Sequence, residues 1–389
     1  MQLTRLRLPI AACALLASTL LATSGCNKSS KKDNVEPPAE LTELTPTVSV
    51  AQVWSHGIGD GEERLGLRQH PVLSDGRLYA ADLEGKVYAL DAASGAEVWA
   101  VETGMRLSGG PGVGDGTVLV GSLDGDVLAL NPENGEERWR KKVSSEVIAS
   151  PAVGSGIAVV RANDGRVYGY NITDGERRWV YDRGLPSLTL RGNGSPLVAQ
   201  DAVFMGYDNG QVVALRLQDG VQQWEQTVAV GEGRTEIDRM IDIDGEILVD
   251  ATEVFAAAYN GQVLAIALEG GRPMWNRELS SYSGLALAGN KLLVSDTDGS
   301  VWAMDRSTGA SIWKQEGLAH RWLTTPAIQG NYAVVGDLEG YLHWLNLDDG
   351  ALAARDRLTR DPIRATPQVA DGVLYAIGTD GELGAYRLQ

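Results

Sequence analysis

Cysteine is almost missing from this chain: 389 residues contain two. Cys13 lies in an N-terminal leader and Cys26 comes directly after it, so the body beyond has no disulfide to lean on. Its stability has to come from packing. Histidine is nearly as scarce, and His56, His70, His320 and His343 fall at no metal-ligand spacing. Each reads as a hydrogen-bonded structural residue, and no metal site is expected. Neither a nucleophile elbow nor a phosphate-cradling loop occurs, so no catalytic residue is assigned. Positive charge is also short, with 34 basic against 51 acidic residues and a net charge of −17. Without the leader and its Arg5 and Arg7, 32 basic residues face 51 acidic ones, a net of −19. That balance argues against nucleic acid and against adhesion to anionic membranes.

The one long apolar run, residues 8–21, follows Arg5 and Arg7 and is too short to span a bilayer. Ser24-Gly25-Cys26 resembles the end of a lipobox, with Thr23 where leucine is usual. Residues 1–25 are thus expected to be a lipoprotein signal peptide, with Cys26 the acylated (palmitate-bearing) new N-terminus. The competing reading is a plain signal peptide that leaves Cys26 a free thiol. Residues 26–46, polar and with Pro37-Pro38, read as a flexible tether, and residues 47–389 as the folded body. Two or three acyl chains anchor durably, at about 0.8 kcal/mol per buried CH₂. Asn27, rather than aspartate, follows the cysteine, which in enterobacterial lipoproteins favours the outer membrane.

What the chain does have is a repeat. An acidic or amide residue precedes glycine at Glu84-Gly85, Asp124-Gly125, Asp164-Gly165, Asn209-Gly210, Asn260-Gly261, Asp298-Gly299, Glu339-Gly340 and Asp380-Gly381. Successive glycines are 40, 40, 45, 51, 38, 41 and 41 residues apart. A period near forty, made of short β-like runs and turn pairs, predicts a β-propeller. In the third copy, residues 151–153 read as an inner strand, 157–161 as a strand buried on both faces and 167–170 as a third strand, with Trp179 on the outer one. Asp164-Gly165 supplies a tight turn that needs positive φ. The fold class is all-β: an eight-bladed propeller of four-stranded blades.

Tryptophan follows a glycine by four residues at Trp99, Trp139, Trp179, Trp224, Trp275 and Trp313. Indole buries a large area while its N–H finds a backbone acceptor, which suits a wedge between blades. Ala354 holds that slot in the seventh unit, where looser packing is expected. The eighth unit stops before the slot, and Trp54 can supply it, so the N-terminal strand should complete the last blade and close the ring. Trp302 and Trp344 are expected to pack between blades. Trp322, in an inter-blade loop, is expected to pack in the core, with an exposed anchor as its alternative.

The run Ala89 to Trp99, repeated at Ala303 to Trp313 with Asp305, Thr308 and Gly309 in register, resembles the tryptophan-docking repeat of pyrroloquinoline-quinone (PQQ) dehydrogenases. Combined with the lipobox and the chain length, it is similar to the BamB family, the propeller lipoproteins of the outer-membrane β-barrel assembly (BAM) machinery. That resemblance implies a non-catalytic scaffold without cofactor, lipid-anchored at the periplasmic face of the outer membrane, that aids insertion of β-barrel proteins. It further implies binding to the periplasmic POTRA domains of the BamA insertase through two stretches, residues 185–192 and 235–244. The matched positions are Leu188, Leu190, Arg191, Asp242 and Asp244, with Asp238 and Arg239 beside them. Other assembly lipoproteins would be reached indirectly. Strand addition of unfolded outer-membrane proteins is a further role, though no edge is singled out for it.

The residues lend their own support, because the long steps of 45 and 51 fall where these stretches sit. Both are connections between neighbouring blades, so they should share a face and form one patch. Leu188 and Leu190 point the same way in an extended segment, with Arg191 beside them: an apolar anchor and an orienting charge. Burial under their own loop is the alternative for the leucines. For Asp242 and Asp244, loop-stabilising hydrogen bonds or a salt bridge to Arg239 or Arg191 stand beside direct partner contact. Two rival functions remain: a PQQ-binding periplasmic quinoprotein, and a scaffold of another envelope complex. Quinoprotein dehydrogenases often carry adjacent cysteines, and the body here has none.

Overall fold

Thirty-two short strands form eight four-stranded antiparallel sheets in the computed structural model, which describes residues 36–62, 65–184, 194–231, 234–235 and 239–389. The chain divides into two units, Met1–Pro37 and Pro38–Gln389; the propeller is the second. Each sheet is a blade, and in seven of the eight the strands run in sequence order from the axis outward. Blade 3 shows why. Ala152–Gly154 turns through Ser155 and Gly156, both at positive φ, into Ile157–Arg161, a strand buried along its whole length. Val167–Asn171 and Arg177–Tyr181 follow, the last bringing Trp179 to the outer edge. Blade 8 breaks sequence order as expected: Gln368–Ala370, Val373–Ile377 and Glu382–Leu388 are completed by Val50–Gly57.

The repeating turn glycines have a second duty. Gly85, Gly340 and Gly381 are at positive φ, and a Cβ on each would stand 2.2–2.3 Å from the carbonyl oxygen of Met105, Thr359 or Ile58 in an inter-blade connection. Turn and connection therefore lie back to back on one face of the disk. In blade 5 it is Asn260, not the glycine after it, that takes positive φ.

Seven tryptophans dock between blades. The indole N–H of Trp54, Trp99, Trp139, Trp179, Trp224, Trp275 and Trp313 donates to a carbonyl of the following blade at 2.8–3.1 Å. Each ring also covers a glycine of that blade; a Cβ on Gly220, for example, would sit 2.7 Å from Trp179.

The looser junction expected at Ala354 is corrected by the structure. Blade 8 takes its outer strand from the N-terminal side, so it has no turn there to receive an indole. Trp344, paired across from Ala354, is fully buried instead. Its N–H donates to Gln329 Oε1 at 2.8 Å, and Gln329 Nε2 donates to the carbonyls of Gly372 and Tyr386 in blade 8.

Residues 39–47, expected as tether or the start of the body, run along blade 7. The Ala39 N–H donates to the Ala319 carbonyl at 2.9 Å and the Thr47 N–H to that of Ala353 at 2.8 Å. Arg321 and Arg355 donate to the carbonyls of Ala39 and Thr42, and Leu41 packs on the cluster between blades 6 and 7.

Candidate partner-binding face

The two lengthened connections, residues 182–196 and 228–247, join blade 3 to blade 4 and blade 4 to blade 5. Leu188, Leu190, Arg191 and Asp238 lie outside the described residues, as does Cys26. The bases of both connections are described, and they meet. A Cβ on Gly194, at the end of the first, would stand 2.9 Å from the carbonyl oxygen of Ile243 in the second.

Ile241, Ile243 and Ile247 sew the second connection into the core between blades 4 and 5. Ile243 comes so near Gly206 that a Cβ there would be 2.3 Å from Cγ2. Asp242 and Asp244 alternate with these isoleucines. Asp242 is 2% exposed, its carbonyl accepts the Tyr259 N–H at 2.8 Å, and its carboxyl meets that of Asp244 rather than an N–H donor. Burial, then the charges of Asp244 and Asp208, push its pKa up to about 9, with Arg161 pulling the other way. Asp244 is half-buried, with one carboxylate oxygen buried and unpartnered. Asp242 thus lies under the connection, while Asp244 lines the central cavity. Arg239 begins the described stretch, packed by its carbonyl against Gly231.

Two residues were missed in the sequence. Arg161, which closes the buried strand of blade 3, is itself 1% exposed. It donates to the carbonyls of Gly194 at 3.0 Å and Gly206 at 2.7 Å, and pairs with Asp208 at 3.5 Å. Its guanidinium lies 4.7 Å from the ring centre of Tyr207, and that of Arg183 lies at 5.1 Å. One buried cation therefore ties the first connection to blade 4. An arginine ending an apolar run gives no signal of this. The other is Val230, 72% exposed at the start of the second connection. Trp322 departs from its expected core packing: it is 55% exposed.

The family model described as outer membrane protein assembly factor BamB matches residues 49–105 and 83–315. The chain belongs to the BamB family. Proteins named outer membrane protein assembly factor BamB are similar along nearly the whole length. That of Xanthomonas campestris is 45% identical over 96% of this chain and 97% of its own. The BamB of Pseudomonas aeruginosa is 46% identical over 97% and 98%, and that of Escherichia coli 37% over 98% of each. Among solved structures, BamB from Moraxella catarrhalis superposes with a TM-score of 0.80 at 28% identity, over 87% of this chain and all of that one. The quinohemoprotein alcohol dehydrogenase of Comamonas testosteroni reaches 0.70 at 14% identity, over 87% of this chain and 76% of its own, a likeness of fold alone. The relatives' shared name is that of an assembly factor for outer membrane proteins, not of an enzyme.

Proposed function

We propose that this BamB-family chain is a non-catalytic scaffold that grips the periplasmic POTRA domains of a BamA-type insertase. The binding patch would be the two lengthened connections: Leu188, Leu190 and Arg191 on the first, Asp238 and Arg239 on the second, with Val230 extending the apolar part. Asp242 acts from beneath by shaping the second connection, and Asp244 from its cavity side. Acylation of Cys26 holds the disk at the periplasmic face of the outer membrane, and other assembly lipoproteins are reached through the insertase. The observation that carries this reading is the meeting of the two connection bases at Gly194 and Ile243, beneath which Arg161 is buried. It supports a single patch, because the two connections rise from adjoining bases. An apolar anchor beside an orienting charge is the composition of a hot spot.

Site-specific photo-crosslinking from position 190, with pull-down of the insertase by Leu188→Ala and Arg191→Ala chains, tests it. Crosslinks to a POTRA domain and recovery lowered about tenfold or more are expected. Unchanged recovery, with crosslinks rising instead from a distant blade, would refute the patch.

A further inference from the structure

We propose that the cavity at the centre of the junction face is a second binding site, which takes an extended peptide segment bearing one basic and one aromatic side chain. Its volume is about 610 Å³, and seven of the eight inter-blade connections contribute to its wall. That size falls within the usual range of ligand pockets.

Trp322 stands at this cavity in a conformation a large side chain rarely adopts, with φ of +53° and its neighbour-but-one His320 at +58°. Between them Arg321 is 2% exposed and pinned, Nε to Asp337 at 2.7 Å, Nη1 to the Ala39 carbonyl at 2.8 Å and Nη2 to Glu339. The turn is held rigid while it displays an indole to solvent. Strain and exposure together on one aromatic residue mark a binding position.

The charges decide what sign of ligand fits. On the basic wall, Arg68 Nη1 already donates to the Tyr282 carbonyl at 3.0 Å, and Arg364 pairs with Glu62 at 3.1 Å. On the acidic wall, Asp244 and Glu246 line the cavity, and neither forms an ion pair among the described residues. Both arginines at the cavity are thus engaged while its two acids have no counter-charge, which a lysine or arginine of the ligand supplies. Among the described residues no group of acids or histidines is arranged to hold a metal ion. The chain's net charge of −17 also steers cations toward it. Acidic wall and indole come from different connections, blade 4 to 5 and blade 6 to 7, with Tyr282 on the connection between. A ligand that reaches both needs two side chains on one strand of backbone.

The probe is the acetylated, amidated peptide Tyr-Gly-Lys-Gly-Tyr, titrated calorimetrically into the intact protein. Saturable binding is expected, weakened about tenfold or more by Trp322→Ala, by Glu246→Gln, by lysine-to-glutamate exchange in the peptide and by replacing both its tyrosines with alanine. No binding at millimolar peptide, or equal affinity for the glutamate peptide or for both protein variants, overturns the proposal. Pull-down of the insertase by Trp322→Ala reads the other site separately, and its recovery should be unchanged.

Discussion

Trp344 faces Ala354 across the third and outer strands of blade 7, and the pair does together what a single outer-strand tryptophan does at the other seven junctions. The indole sits in a buried cluster with Leu374, Ala376 and Tyr386 of blade 8, its ring edge-on to Tyr386 at 6.0 Å between centroids. Trp344→Ala should therefore destabilise the ring by about 3–5 kcal/mol. Ala354→Trp should fail to stabilise it and cost about 1–3 kcal/mol, since the space is taken and no turn accepts its N–H. Urea midpoints of the two variants check both. A higher midpoint for Ala354→Trp would mean that the junction is underfilled after all.

Arg161 should behave as a positioning residue for the face above it. Arg161→Met keeps much of the volume but takes the guanidinium donor from the carbonyls of Gly194 and Gly206 and one ion-pair contact from Asp208. A loss of about 3–5 kcal/mol is expected for breaking a buried pair one-sidedly. Amide exchange should quicken first around residues 194 and 206, and insertase recovery should fall although Arg161 touches no partner. Equal exchange in both chains would show that the connection holds without this cation.

Much of the ring could be read from residues because its parts repeat. A glycine at positive φ backed by an inter-blade carbonyl, and an indole four residues after another glycine, are local demands met in nearly every unit, so they surface as a period. What broke the period was harder. Trp344 substitutes for a wedge from a different strand, a relation visible only once strands pair. Trp322 looked like core because loop aromatics are often buried; its exposure depends on Arg321, which is fastened to Ala39 from 282 positions away. Arg161 only ended a run read as a strand buried on both faces, yet its partners lie 33 and 45 residues on. Of the two inserted stretches, the location was legible from the spacing, whereas the burial of Asp242 under its own segment was not.

The docked segment 39–47 gives a direct prediction. A free tether would exchange its amide protons at the intrinsic rate, but the N–H groups of Ala39 and Thr47 donate to blade carbonyls. Both should be protected in the intact protein, while their neighbours with no such bond are not. Deleting residues 38–46 should cost about 1–3 kcal/mol, because Arg321 loses the Ala39 carbonyl and the Leu41 contact disappears. Exchange measured by mass spectrometry on overlapping peptides is sufficient. Unprotected amides at both positions would return the segment to the tether.

Asp242 makes stability depend on pH in a direction opposite to the usual carboxylate. Most native carboxylates are held below their unfolded pKa and stabilise the fold as pH rises. Asp242 is pushed from 3.8 up to about 9, by burial first and then by Asp244 and Asp208. Between those two values the folded chain holds a proton here that the unfolded chain has released, so this site's contribution falls as pH climbs and levels off above about 9. Asparagine at this position cannot ionise. Asp242→Asn should thus stabilise the protein by an amount that grows with pH, to about 1–3 kcal/mol near pH 8.5 and less near pH 5. Urea unfolding of both chains at the two pH values measures it as a double difference. A pH-independent offset would mean that the carboxyl titrates as it does in water, and that Asp242 is not sealed beneath the connection between blades 4 and 5.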